Sequence, residues 1–148
     1  MNRSGTALAI AVVLVPLLAV LALVQEAGSG RSAFGTDAED LTERAVGTAG
    51  LQVCSSVDEP GGWAAGAVGG KAYEVAARCP GDTVTVVVDR FGTAAGRDAA
   101  ARRFESLVRP RASGAVLTLG DGTVLVRGAG DGDARARLVA ALRDAGAR

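Results

Sequence analysis

The chain reads as an α+β protein: a small antiparallel sheet with helices on one face, carried behind an amino-terminal transmembrane helix. Three observations predict this. Segments with strand alternation and segments with helical spacing interleave in the order α-β-β-β-α-β-β-α. The links between neighbours are short and rich in turn residues, which favours antiparallel pairing. Residues 7–24 form an unbroken apolar run of eighteen, with no charge between Arg3 and Glu26.

As a helix that run spans about 27 Å, near the hydrocarbon thickness of a bilayer. Pro16 at its centre is tolerable in a membrane helix. Arg3 and the free amine precede it, so the positive-inside tendency holds the amino terminus in the cytoplasm and exports the rest of the chain. A cleaved signal segment is the competing reading, although its apolar stretch is usually about 7 to 15 residues. Both readings place residues 1–27 as an anchor or signal and 28–33, a Gly-Ser-rich stretch, as a flexible linker. Residues 34–148 then form one extracytoplasmic domain. Fifteen of the chain's sixteen basic residues are Arg, Lys71 being the exception, a bias expected of a GC-rich bacterial gene.

Within the domain, Thr36 with Glu39 matches a capping box, and Ala38, Leu41, Ala45 and Ala49 recur at helical spacing up to Gly50. Residues 51–57 alternate as a strand with Leu51, Val53 and Val57 on one side. Residues 60–70 read as a glycine-rich loop, and 71–78 alternate again. Residues 83–91 centre on Val86-Val87-Val88, which predicts a central strand. Thr93 caps a second helix that runs to Arg109 before Pro110. Its apolar stripe is Ala100, Ala101, Phe104, Leu107 and Val108, with Phe104 facing the sheet. Asp98 with Arg102 and Glu105 with Arg109 are acid-first pairs four apart. Strands 115–119 and 123–127 flank Gly120-Asp121-Gly122, a hairpin signal that would set Leu119 opposite Val124 and Leu117 opposite Val126. A last helix covers 133–145, with Ala134, Leu138, Ala141, Leu142 and Ala145 on one side.

Composition narrows the chemistry. The chain has no histidine, which removes imidazole-dependent nucleophile systems and zinc sites that need it. Two cysteines are too few for a four-thiolate site. A net charge of zero and 3% aromatic residues argue against nucleic acid as a partner. No cofactor and no metal are expected.

Several motifs invite chemistry and fail on residues. Gly69-Gly70-Lys71 lacks the P-loop's first glycine, where Ala65 stands, and its Ser or Thr, where Ala72 stands. Gly128-Ala-Gly130-Asp-Gly132-Asp133 has Asp133 where a dinucleotide fingerprint needs its third glycine, so Asp131 or Asp133 reads as a helix cap. Lys71 with Ser55 or Ser56 would make a Ser-Lys dyad that nothing in the spacing requires.

Cys54 and Cys79 are expected to form a disulfide in an oxidising compartment, with separate buried thiols as the alternative. Trp63, in a Gly-Gly-Trp-Ala-Ala-Gly loop, is either an exposed anchor for a partner or a lid over the core's edge. Charge is uneven: residues 34–89 carry three basic and nine acidic groups, and 90–148 carry eleven basic and six acidic. That pattern marks either a contact surface or complementary halves of one fold.

The sequence contains no catalytic constellation. It points to a membrane-tethered, extracytoplasmic binding or accessory envelope domain, with a protein or envelope polymer as partner. The alternatives are a hydrolase-like enzyme with a carboxylate or Ser-Lys site, and a structural subunit of a membrane complex.

Overall fold

The computed structural model describes residues 36–108, 114–128 and 132–148. The apolar run 7–24, the linker 28–33, Arg109 with its pairing to Glu105, and Asp131 lie outside them. Among the described residues no helix is long and apolar enough to cross a membrane.

The elements are α1 (Ala38–Thr48), β1 (Gln52–Glu59), β2 (Ala67–Ala76), β3 (Val84–Phe91), α2 (Ala94–Val108), β4 (Gly114–Leu119), β5 (Gly122–Arg127) and α3 (Gly132–Asp144). The order is the expected α-β-β-β-α-β-β-α. All five strands join one sheet, β1-β2-β3-β5-β4, and every neighbouring pair is antiparallel.

The two terminal helices pack on one face, together and against the sheet. That face carries Tyr73 and Val75 from β2, Val84, Val86 and Val88 from β3, Val124 and Val126 from β5, and Leu117 and Leu119 from β4. Ala45 and Val46 of α1 and Ala134, Leu138, Ala141 and Leu142 of α3 close over them. Both helices end in the same way. Gly50 and Gly146 take positive φ (69° and 104°), and the next amides, Leu51 and Ala147, reach back to Val46 and Leu142. This turns Leu51 and Ala147 into the core.

Helix α2 lies on the other face, which corrects the expectation of a single helical face. Its Gly96 sits against the Phe91 ring, Val108 against Gly114, and Ala100 and Ala101 are its buried residues. Strand order gives the reason. β3 and β4 run parallel with β5 between them, so the connection between them must cross a face, and such crossovers have one strongly preferred hand. The terminal helices carry no such constraint and take the face left open to them.

Local departures have local causes. Asp37, not Thr36, caps α1, its carboxylate accepting from the Glu39 amide at 2.9 Å. Thr36 is drawn instead to the hairpin: its carbonyl accepts from the Asp121 amide at 3.1 Å, and Asp121 Oδ1 accepts from the Ala38 amide at 2.9 Å. The hairpin turn is therefore Gly120-Asp121, with Leu119 opposite Gly122 and Leu117 opposite Val124. That register differs from the expected one by two residues, so every side chain keeps its face. In β1 a bulge between Val53 and Ser55 breaks the expected alternation, setting Val53 opposite Val75 but Val57 opposite Ala72 on the far face. β2 begins at Ala67, four residues earlier than the glycine content suggested.

Candidate functional site

The Cys54–Cys79 disulfide is present, with Cα atoms 5.6 Å apart. Two features allow it. Cys54 occupies the β1 bulge, which releases it from strand parity, and Cys79 lies three residues past the end of β2. The bond ties the edge strand β1, at its bulge, to the segment that follows β2.

Lys71, on β2, is committed to a charged cluster at the rim of the α1 and α3 face. Its ammonium lies 3.2 Å from Glu43 Oε1 and 3.9 Å from Asp58, and sits over the Tyr73 ring. The Tyr73 hydroxyl donates to the same Glu43 oxygen at 3.2 Å. Partial burial opposes the Lys71 charge, but the hydrogen bond and charge of Glu43, with Asp58 and Glu39, outweigh it and raise the pKa. The contacts Lys71 makes here are thus to two carboxylates and an aromatic ring. Beside it Glu39 pairs with Arg90 at 2.8 Å, joining the acidic and basic halves of the chain. Burial raises the Glu39 pKa against the opposing charge of Arg90.

The α2 face holds a different arrangement. Asp89, at the end of the apolar β3 stretch, is 1% exposed. Its two carboxylate oxygens accept from the backbone amides of Trp63 (2.6 Å) and Ala64 (3.1 Å). Burial raises its pKa, and those two hydrogen bonds pull it back down. The β1–β2 loop is thereby tied to the middle of the sheet. Two glycines make room for it. Gly62 takes φ 68° beside Asp89 Oδ1, and at Gly70 a Cβ would lie 3.0 Å from Trp63 Cζ3. The indole rests on bare backbone.

Trp63 nevertheless remains 45% exposed, so it covers Gly70 of β2 and also presents surface. Facing it is α2, whose start is capped by Thr93, with Oγ1 accepting from the Gly96 amide at 3.2 Å. Trp63, Ala64 and Ala65 on one side and Gly96, Ala99, Ala100, Arg103 and Phe104 on the other enclose a groove of about 580 Å³. Gly96, Ala99/Ala100 and Arg103/Phe104 succeed one another at helical spacing, so one stripe of α2 supplies the whole wall.

Phe104 is thus a half-buried wall of the groove, not the filler against the sheet that its stripe suggested; Ala100 and Ala101 make the sheet contact. Leu107, expected on the same stripe, is 64% exposed. Asp98 pairs at 2.8 Å with Arg97, not Arg102, because Arg97 is held in place by donating to the Gly120 carbonyl.

The sequence points to Trp63 but not to its support, Asp89, or its counterpart, Arg103. A lone acid closing a run of buried valines is the signal that was available for Asp89. Among the described residues no group of three or more acidic or thiol side chains is placed to hold a metal. Comparison with known protein families, with curated proteins and with solved structures finds no match to this chain.

Proposed function

We propose that this chain is a membrane-tethered, extracytoplasmic domain that works by binding rather than by catalysis, with the groove between Trp63 and α2 as its contact site. The observation that carries this reading is Trp63 itself. A half-exposed tryptophan, fixed by a buried carboxylate through its own backbone, is the arrangement of a pre-organised anchor. The hydrolase alternative asks for two neighbouring carboxylates in one pocket. Glu39 and Asp89 both have raised pKa values, but they lie on opposite faces of the sheet, and the groove's lining contains no acid. Export rests on the apolar run 7–24 behind Arg3.

Two measurements test the reading. A reporter active only outside the cytoplasm, fused after Arg148, is expected to be active, and intact chain in the soluble cytosol would overturn the export. Partner recovery by cross-linking in membranes is expected to fall sharply in Trp63→Ala while the melting temperature stays within a few degrees. Unchanged recovery would remove the groove from the function.

A further inference from the structure

We infer that the groove receives the end of a partner polypeptide, an aromatic side chain with a free carboxylate beside it; this rests on the binding reading above. The size is right for one large side chain and its backbone, since about 580 Å³ falls within the usual range of ligand pockets. The shape argues for a flat apolar group. Trp63 and Phe104 stand on opposite walls, and the lining between them is Ala64, Ala65, Gly96, Ala99 and Ala100, which project nothing beyond a methyl. Trp63 and Phe104 both border the space an inserted ring would take, and aromatic groups favour offset or edge-on contact with one another.

The charge argues for an anion. Arg103 is the one charged side chain in the lining. Among the described residues its guanidinium has no ion pair, whereas Arg90 and Arg97 are both paired. Its planar fork is matched to a carboxylate. No lining acid competes with an incoming one, and the nearby Asp89 is engaged by two backbone amides.

The openness argues for a chain end. Trp63, Ala65, Ala99 and Arg103 are all exposed, so a group seated between them continues into solvent instead of being enclosed. Capture of a terminal carboxylate beside a side-chain pocket is a recurrent mode of peptide recognition.

Trp63 is the chain's one tryptophan, so a 5-fluorotryptophan resonance reports on this groove alone. The full chain, labelled in this way and held in lipid nanodiscs, is titrated with acetyl-Gly-Gly-Phe as the free acid, with its carboxy-terminal amide, and with 3-phenylpropionate. The expected result is a saturable shift with the free acid, at least tenfold weaker binding of the amide, and weaker binding of 3-phenylpropionate than of the peptide acid. Arg103→Gln is expected to bring the acid down to the level of the amide. Because Arg103 is exposed, that variant keeps its fold, which an unchanged melting temperature checks. Equal binding of acid and amide would overturn the carboxylate assignment while leaving the groove a binding site. Tightest binding by 3-phenylpropionate would make the occupant a free small acid and overturn the chain-end assignment. No saturable shift with any of the three would overturn this inference, while the binding reading beneath it is decided separately by the Trp63→Ala cross-linking.

Discussion

The two faces of the sheet are built to opposite standards. On the α1 and α3 side, Val75, Val84, Val86, Val88, Val124 and Val126 are all wholly buried, as are Leu138 and Leu142 above them. On the α2 side Phe91 is wholly buried, but the helix over it is seated through alanines, a carboxylate is buried in the sheet, and Trp63 and Leu107 stand out in solvent. Branched side chains interlocking at native density stabilise a fold; alanines against a sheet allow close approach but remove little apolar area from water. The first face therefore carries most of the stability, and the second leaves side chains in solvent, the surface on which the proposed binding rests.

That contrast predicts a gradient of mutational cost. Leu138→Ala, on the sealed face, is expected to destabilise by roughly 3 to 5 kcal/mol through lost transfer energy and a residual cavity. Against a total near 5 to 15 kcal/mol, this leaves the chain marginal. Denaturant unfolding of the variant against the parent measures it, and a loss below that of any α2-face variant would break the comparison. The disulfide comes next. Cys54 and Cys79 are 25 residues apart, so replacing both by alanine is expected to cost roughly 3 kcal/mol on loop-closure grounds. The same unfolding curves check that, and the reduced parent should match the variant.

On the α2 side, Phe104→Ala is expected to cost only about 1 to 2 kcal/mol, because the ring is half-buried and borders a groove that already admits solvent. A loss as large as that of Leu138→Ala would show that Phe104 fills a closed core after all.

The same contrast explains what could be read from the sequence. The sealed face was legible in part: the inward Val124 and Val126 of β5 and the stripe Ala134, Leu138, Ala141 and Leu142 of α3 have the period of their elements, while the valine run of β3 marked a central strand without saying which valines face this side. Even the misjudged hairpin register left those side chains inward, because a shift of two residues preserves parity. The α2 face was not legible for three separate reasons. Strand order, which decides the helix's side, depends on β5 inserting between β3 and β4, and local pattern carries no signal for that. The β1 bulge undoes alternation by one residue. Trp63 and Arg103 lie forty residues apart and meet only because Asp89, on a third element, holds the loop in place.

Asp89 offers a pH test that separates the faces. Burial holds its carboxyl above the usual carboxylate value of 3.8 in the folded chain. The native state therefore takes up this proton at higher pH than the unfolded state does. The group's contribution to stability rises as pH falls from neutral through the raised value and is constant below the unfolded one. Protonation also weakens the acceptor that holds the Trp63 and Ala64 amides. Trp63 emission is expected to change with a midpoint above 3.8, and Asp89→Asn is expected to abolish that transition. Glu39 shares the sign of the stability effect but sits on the other face, so Glu39→Gln should leave the emission transition in place.

The smallest effect is expected at Leu107. Helical spacing places it one turn beyond Arg103 and Phe104, and a reading from the sequence alone makes it a core residue. In the structure it is 64% exposed, past the end of the groove's lining, so unfolding changes its contact with water little. Truncating it removes no packed neighbour and opens no cavity. Leu107→Ala should shift stability by no more than about 0.5 kcal/mol, with alanine's higher helix propensity offsetting part of the lost contact. Peptide binding at the groove should also be unchanged, because Leu107 is absent from its lining. Denaturant midpoints and the Trp63 titration, run on the same variant, measure the two independently. A loss above about 2 kcal/mol would mean that Leu107 is buried in solution and that the α2 face is closed like its opposite. Unchanged stability with weakened binding would instead extend the recognition surface by one helical turn, sharpening the division of labour between the faces.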